Sequence, residues 1–122
     1  MVRFRINLSS KVKLVNFSKK YITQDYIGWL NNPELLKYSE QRHYNHSYET
    51  CLKYYKSFDG TSNIFNAVLD ISSNEHVGNI TAIVDKNNNV ADIAILIAKG
   101  NCGYGFSAWS EMIKKLFNEN LS

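Results

Sequence analysis

The sequence has little proline, little cysteine and no long apolar run: its 122 residues include one proline and two cysteines. The single proline and a charged fraction of 20% argue against a disordered chain. Cys51 and Cys102 lack the spacing of a metal-binding or redox pair, which favours a reduced, cytoplasmic setting. The apolar stretch from Ile93 to Ala98 is far shorter than the ~20 residues of a membrane-spanning helix. The first residues alternate in polarity, unlike a signal peptide, so we expect a soluble protein without a membrane partner.

Length and charge limit the classes of protein that remain. A chain of 122 residues with 44% hydrophobic residues predicts one globular domain over 1–122. The net charge is +3, and part of the basic excess lies near the start, at Arg3, Arg5, Lys11, Lys13, Lys19 and Lys20. These residues form either a solvated face or a surface that attracts phosphates. No RNA- or DNA-binding signature accompanies them, so a small nucleic-acid binder is only a third hypothesis, which predicts affinity that falls steeply with salt.

The first half of the chain predicts one bent strand or a hairpin, followed by helices. Residues 2–8 alternate between apolar and polar side chains, and the alternation resumes at Val12 and Leu14. Three helix-start signals follow along the chain. They are Thr23, the Asn32-Pro33 pair and Ser47, before predicted helices over 24–30, 34–39 and 48–58, the last stopped by Gly60.

The second half predicts strands over 64–71, 77–84 and 90–98, with turns at 72–75 and 86–89. The last strand has two different faces. One face is bulky and apolar, and the other is mainly small with one carboxylate: Ile93, Ile95 and Ile97 against Asp92, Ala94, Leu96 and Ala98. An amphipathic helix begins at Tyr104. The predicted order is therefore strand(s)-helix-helix-strand-strand-strand-helix.

A glycine-rich loop joins the last strand to the last helix. Gly100, Gly103 and Gly105 allow tight turns and leave backbone amides open to a ligand, while the start of the helix adds positive potential. This arrangement suits a phosphate or pyrophosphate, although the same glycines also serve as plain turn residues. The loop lacks the Gly-Lys-Ser/Thr ending of a nucleoside triphosphate loop and the spacing of a dinucleotide fingerprint.

Four colinear segments resemble the GNAT superfamily of N-acetyltransferases. Gly100-Asn-Cys-Gly-Tyr-Gly105 resembles its pyrophosphate loop, and Ala91-Asp-Ile-Ala-Ile-Leu-Ile97 resembles its pantetheine-binding strand. Tyr26-Ile-Gly-Trp-Leu-Asn-Asn-Pro-Glu34 and Lys37-Tyr-Ser-Glu-Gln-Arg-His43 are similar to the branch related to ribosomal-protein and sugar-nucleotide acetyltransferases. The resemblance covers essentially 3–121. It implies a three-layer α-β-α fold of the α+β class, with a mostly antiparallel central sheet and helices on both faces.

The sequence departs from the family pattern in two places. Gly100 stands where the family has Arg or Gln, and Asn101 replaces the next loop glycine. The family also continues with a further strand, a helix and a closing hairpin, which often carry the tyrosine that protonates the departing thiolate. The resemblance therefore implies a domain whose terminal strands are missing after Ser122.

The resemblance implies direct transfer of acetyl from acetyl-CoA to a primary amine, on an amino-sugar nucleotide or a protein N-terminus, without a metal. Backbone N–H groups would hold the pantetheine arm at Ile95, Leu96 and Ile97. Backbone N–H groups would hold the pyrophosphate at Cys102, Gly103, Tyr104, Gly105, Phe106 and Ser107. Cys102 itself is expected to be a passive loop residue, because the family transfers acetyl without an acyl-cysteine.

Two residues are candidates for proton transfer. Asp92 is the only charge on its strand face, although a solvated carboxylate at a strand's start is an equally good interpretation. His43 lies with Arg42 in the loop that covers the acceptor site in this family, where the alternative is an exposed loop histidine. His43 and His46 have loose metal-like spacing but no further ligand nearby in sequence, so we expect no metal. Trp29 is a candidate for substrate binding, with a place in the core as the alternative.

A second functional hypothesis is non-catalytic. The chain would then be an acyl-CoA-binding fragment, or a module that needs a partner chain to complete its sheet. An uncovered strand edge after 90–98 tends to recruit another chain, so a homodimer is a possible form of this module.

Overall fold

A computed structural model describes residues 1–3, 9–36, 45–99 and 103–120. These residues contain four strands: β1 (Val12–Asn16), β2 (Ile64–Asp70), β3 (His76–Asp85) and β4 (Val90–Ile97). Four α-helices accompany them: α1 (Gln24–Leu30), α2 (Pro33–Leu36), α3 (Tyr48–Lys56) and α4 (Tyr104–Asn120). A short 3₁₀ turn, Lys19–Tyr21, precedes α1.

The four strands form one antiparallel sheet in the order β1-β2-β3-β4. The two turn signals in the middle of the chain agree with the pairing of β2 with β3 and of β3 with β4, whereas β1 pairs with β2 across the intervening helices. β1 and β4 are the two edges among the described strands. The predicted α+β class is confirmed, because helices cover both faces of this sheet.

Two apolar clusters, one on each face, hold the layers together. On the first face, Tyr26 and Trp29 of α1 and Cys51 of α3 pack with Phe65 and Ala67 of β2. On the second face, Ala108 and Met112 of α4 pack with Val12, Val68 and Ile80. We call these the α1/α3 face and the α4 face. The alternation of side chains along each strand divides the sheet's apolar residues between them.

The helix starts follow the signals in the sequence. The Thr23 side chain accepts a hydrogen bond from the N–H of Tyr26 at 3.2 Å. Ser47 caps α3 and forms a reciprocal capping box with Thr50, which satisfies two donors that a helix start otherwise leaves unpaired. α3 ends at Lys56, before Gly60, because the chain turns from Ser57 and reaches a positive φ of 73° only at Gly60. The predicted strand over 2–8 and the end of the predicted helix 34–39 lie mostly outside the described residues.

β3 begins one residue earlier than its alternation predicts and contains a bulge. Val68 pairs with Gly78 and Leu69 pairs with His76, so Val77 is the extra residue. The carbonyl of Val77 accepts hydrogen bonds from the N–H groups of Ala98 at 2.9 Å and Lys99 at 3.2 Å. The bulge therefore joins β3 to the point where β4 ends.

Candidate active site

Antiparallel pairing brings four chain segments to one end of the sheet. β1 begins, β2 ends, β3 begins and β4 ends there, and α4 starts beside them. We call this the loop end of the sheet. Gly105, in the first turn of α4, lies against Ile97 at the end of β4.

The start of α4 presents backbone donors. The N–H of Ser107 donates to the carbonyl of Gly103 at 2.9 Å, which is the first bond of the helix. The amides of Tyr104, Gly105 and Phe106 precede that bond, so the helix itself supplies no acceptor for them. Gly103 has a φ of 97°, a conformation that glycine adopts without strain. Glycine at this position therefore lets the chain turn directly into the first turn of α4.

Lys11 lies across Gly103. A Cβ placed on Gly103 would be 3.0 Å from the Lys11 Nζ and 3.4 Å from its Cδ. The Lys11 backbone is held on both sides: its N–H donates to the Ser107 Oγ at 3.4 Å, and its carbonyl accepts from the N–H of Ile71 at 3.0 Å. The chain thus places a cation over the first turn of α4, from a residue that is 92 positions away from Gly103 in sequence.

Tyr104 joins α4 to the end of β2. Its hydroxyl donates a hydrogen bond to the Asp70 carboxylate, which also accepts from the N–H groups of Ser72 and Ser73, each at 2.9 Å. These bonds, with the tyrosine first, lower the pKa of Asp70 to about 2. The side chain of Tyr104 therefore anchors the helix start to the end of β2.

The outer edge of β4 faces no other described strand. The N–H of Ala98 and the carbonyl of Leu96 are both directed towards β3. Because backbone groups alternate in direction along an antiparallel strand, the N–H groups of Ile95 and Ile97 are directed outwards. Ile97, the last residue of β4, lies against Gly105 in the first turn of α4.

Asp92 lies on the α1/α3 face of β4, exposed to solvent, and pairs in register with Ile83. Ala94 and Leu96 share this face, and Leu96 packs against the α1/α3 cluster. Ile93 and Ile97 pack against the α4 cluster. The predicted difference between the two faces of this strand is confirmed.

His76 is enclosed by aromatic rings on the α1/α3 face at the loop end. Its ring centroid lies 5.0 Å from that of Tyr21 and 4.9 Å from that of Trp29. Its Nε2 is 2.8 Å from the Oδ1 of Asn79, a residue that is 6% exposed. Burial lowers the pKa of His76, and the nearby Lys99 ammonium acts in the same direction. Partial burial among the rings therefore favours the neutral form of His76.

An ion-pair network lies next to His76. Lys99, directly after β4, contacts Glu75 at 3.0 Å and Asp25 at 3.5 Å. The network links α1, the β2–β3 turn and the start of the glycine loop. All three side chains are substantially exposed, so each pair contributes little to stability.

The other predicted site residues fall into two groups. Trp29 is buried, with its ring edge-on to Tyr26 at 6.1 Å, in the core position that was its alternative interpretation. Arg42, His43 and Cys102 lie outside the described residues. His46 lies within the described residues. Its N–H and carbonyl form 2.8 Å hydrogen bonds with the Asn31 side chain, which joins the segment just before α3 to the end of α1.

Sequence reasoning did not identify Lys11, His76 or Asn79 as site residues. Lys11 was visible only as part of a basic run, and its contact with Gly103 depends on the sheet register. The polar pair of His76 and Asn79 has i, i+3 spacing in a strand, which normally places two side chains on opposite faces; the bulge at Val77 puts them on the same face. No signal in the sequence announces this bulge.

An open groove of about 500 Å³ lies between β1 and the later turns of α4, lined by Val12, Leu14, Ile71, Glu111 and Lys115 among others. It lies away from β4, at the opposite edge of the sheet. Within 1–3, 9–36, 45–99 and 103–120, no three His, Cys, Asp or Glu side chains are placed to share a metal ion. None of the helices described has the length and apolar character needed to cross a membrane.

The fold matches solved structures. The acetyltransferase (GNAT family) from Bacillus anthracis superposes with a TM-score of 0.72 at 18% identity, over 91% of this chain and 66% of that one. A domain from Methanocaldococcus jannaschii DSM 2661 superposes with a TM-score of 0.71 at 19% identity, over 92% of this chain and 73% of that one. The chain thus spans slightly less than two thirds of the Bacillus anthracis protein. No family model and no curated protein matches the sequence.

Proposed function

We propose that this chain binds acetyl-CoA at the start of α4 and along the outer edge of β4, and transfers the acetyl group to a primary amine. The observation that supports this most is that the β4 edge, which no other described strand covers, ends at Ile97 against the first turn of α4, where Lys11 also approaches Gly103. The shared fold with a GNAT-family acetyltransferase agrees with it. The cysteine usage fits a cytoplasmic enzyme.

The residues at the loop end fit a pyrophosphate. Three amides of α4, those of Tyr104, Gly105 and Phe106, lie ahead of the first helical hydrogen bond. The family pattern has Arg or Gln at the loop position that is Gly100 in this chain. Lys11, which lies near Gly103, supplies a positive charge to the same loop. Cys102 and Gly103 complete the proposed phosphate-binding segment, whereas the Ser107 N–H, which was expected to belong to it, is already bonded to the Gly103 carbonyl.

The outward N–H groups of Ile95 and Ile97 suit an extended amide-bearing chain such as pantetheine, which would add to the edge as a strand does. Leu96, the third residue of the proposed segment, has its carbonyl directed towards β3, so its backbone does not face the cofactor. Its side chain packs against the α1/α3 cluster and holds the strand in place. When bound, acetyl-CoA would supply an activated thioester. The amine nitrogen would bond to its carbonyl carbon and lose a proton, while the C–S bond breaks and the sulfur leaves as a thiolate that takes up one proton.

Asp92 is our candidate for taking the proton that the amine loses, together with His43, which lies outside the described residues. Asp92 is the carboxylate on the exposed small face of β4, beside the edge where the thioester would lie. The acceptor is an amino-sugar nucleotide or a protein N-terminus, bound with help from Arg42, as in the branch related to ribosomal-protein and sugar-nucleotide acetyltransferases. Trp29 would shape this region from within the core.

Replacement of Asp92 by Asn tests the catalytic part of the proposal. We expect kcat for thiol release to fall by about 10²–10⁴-fold, the usual contribution of a general base, with the Kd for acetyl-CoA unchanged. Asp59→Asn, a change of another exposed aspartate, is the control. Equal kcat in Asp92→Asn and wild type would remove Asp92 from the mechanism.

Replacement of Lys11 by Met tests the phosphate site. A lost charge-assisted hydrogen bond is worth about 1.5–3 kcal/mol, so we expect the Kd for acetyl-CoA to rise about 10- to 100-fold. Lys19→Met, at an exposed position in the same basic run, should leave the Kd unchanged. Equal effects of the two variants would mean that only net charge matters and that Lys11 makes no specific contact.

A second candidate function, a module that needs a partner chain, is favoured by exposed apolar side chains on α4. Phe106, Trp109 and Phe117 are 67%, 46% and 56% exposed, and β4 has no second neighbour among the described strands. Such a surface is costly for a monomer. Homodimer formation that increases with concentration and is lost in Trp109→Lys would support this function; a monomer at all concentrations would count against it.

A further inference from the structure

The Asp70 carboxylate joins the β2–β3 turn to the start of α4. Its Oδ1 accepts hydrogen bonds from the N–H groups of Ser72 and Ser73, each at 2.9 Å, and from the Ser73 hydroxyl at 3.2 Å. Its Oδ2 accepts a hydrogen bond from the hydroxyl of Tyr104, in the first turn of α4. The two oxygens therefore serve different elements: one fixes the turn, and the other fixes the helix to that turn.

The same end of β2 also holds Lys11. Asp70 pairs in register with Val12, and the N–H of Ile71 donates to the Lys11 carbonyl at 3.0 Å. The Lys11 Nζ would be 3.0 Å from a Cβ placed on Gly103, the residue before α4. The Lys11 backbone and the first turn of α4 are thus held from one place. Contacts at the end of β2 therefore determine the distance between the Lys11 ammonium and the amides of that turn.

The first turn of α4 is poor in side chains that could hold it. Tyr104 stands between Gly103 and Gly105. The fully buried residues of the helix, Ala108 and Met112, follow about one and two turns later. The ends of a helix open more readily than its packed centre. The hydrogen bond from Tyr104 therefore supplies a fixed contact that the two glycines cannot supply.

We propose that Asp70 and Tyr104 are positioning residues for the phosphate site. Their hydrogen bond holds the amides of the first turn of α4 at the distance from Lys11 at which both contact one pyrophosphate. The inference rests on the proposed function, and neither side chain contacts the cofactor in it. Backbone amides bind an anion more tightly when their geometry is fixed beforehand, because less conformational freedom is then lost on binding.

Charge alone predicts the opposite effect for Asp70. A carboxylate close to a phosphate site repels the phosphate, so its removal should tighten binding. If Asp70 acts by position, its removal should weaken binding, because Tyr104 and the turn lose their common acceptor. The sign of the change therefore separates a positioning role from a purely electrostatic one.

Calorimetric titration of wild type, Tyr104→Phe and Asp70→Ala with acetyl-CoA and with acetyl-pantetheine tests the inference. Tyr104→Phe removes the hydroxyl oxygen and keeps the ring and the backbone amide. We expect the preference for acetyl-CoA to fall about tenfold in both variants, the lower end of what the Lys11 charge itself contributes, with the Kd for acetyl-pantetheine unchanged. A merely structural loss would weaken binding of both ligands alike. Tyr48→Phe, the same change at an exposed position of α3, is the control and should keep the wild-type preference.

A double variant shows whether Tyr104 acts through the alignment with Lys11. In the Lys11→Met background, Tyr104→Phe should lower the preference for acetyl-CoA by less than about twofold, because the alignment that it maintains has already lost one partner. A further loss as large as in the wild-type background would show that the two residues act independently, and would overturn the inference.

Failure of the inference and failure of the proposed function give different results. If wild type binds acetyl-CoA and acetyl-pantetheine equally, or binds neither, the phosphate site is refuted and the inference with it. If wild type prefers acetyl-CoA and Tyr104→Phe keeps the whole preference, or if Asp70→Ala binds acetyl-CoA more tightly, only the inference is overturned. Tyr104→Phe decides the question by itself if Asp70→Ala does not fold.

Discussion

Gly78 on β3 is the position where a single methyl group should disturb the sheet most. A Cβ there would overlap the carbonyl oxygen of Leu96 and lie 3.0 Å from both the Cα and the Cδ1 of Ile97. Two of these atoms belong to the backbone of β4, so no side-chain rotation relieves the clash. Overpacking costs about 1–3 kcal/mol even in cores that adjust, and we expect Gly78→Ala to lose about 3 kcal/mol.

Urea unfolding followed by tryptophan fluorescence measures this loss. With a slope of about 1.5 kcal/mol per molar for a domain of this size, the midpoint should fall by about 2 M. Gly28→Ala is the matched control. Gly28 lies in α1, and a Cβ there would meet nothing within 4 Å, so this variant should gain about 0.5–1 kcal/mol from helix propensity. A Gly78→Ala midpoint equal to that of wild type would refute the close approach of β3 and β4.

Two further predictions concern buried polar groups. Lys115→Met should destabilise the protein by about 1–2 kcal/mol in urea unfolding, because the Lys115 Nζ donates at 3.2 Å to the Oδ1 of the fully buried Asn66. Lys114→Met, which removes only an exposed pair, should stay within about 0.5 kcal/mol of wild type, and equal losses in both would contradict the role of Asn66. His76 has a folded pKa below its unfolded value, so the unfolded state binds the proton first and stability should fall as pH drops below about 6.5. His76→Gln should flatten that limb of the stability–pH curve, and an unchanged slope would contradict a partly buried histidine whose pKa is lowered in the folded state.

Local signals in the sequence were sufficient for most of the architecture. The caps at Thr23 and Ser47 act within four residues of themselves, so their chemistry marks where α1 and α3 begin. The alternation over 90–98 separates the two faces of β4 because each face meets a different layer. The end of α3 was less predictable, since Gly60 marks the turn after the helix and not its last residue.

The contacts that build the candidate site were not accessible in this way. Lys11 reaches Gly103 only because β1 and the start of α4 meet at the loop end. The pairing of His76 with Asn79 depends on a bulge whose extra residue, Val77, is an ordinary strand former. Each contact joins residues through the register of the sheet, which is a property of several strands together and of no single segment.

The most direct test of the central claim is a calorimetric titration of the folded chain with acetyl-CoA and, separately, with acetyl-pantetheine, which has the thioester arm without the pyrophosphate. The amides at the start of α4 and Lys11 are proposed to bind that pyrophosphate. We predict saturable binding of acetyl-CoA that is at least about tenfold tighter than binding of acetyl-pantetheine, a difference of ~1.4 kcal/mol. Equal affinity for the two, or no binding of acetyl-CoA by the folded protein, would contradict a cofactor site at the loop end.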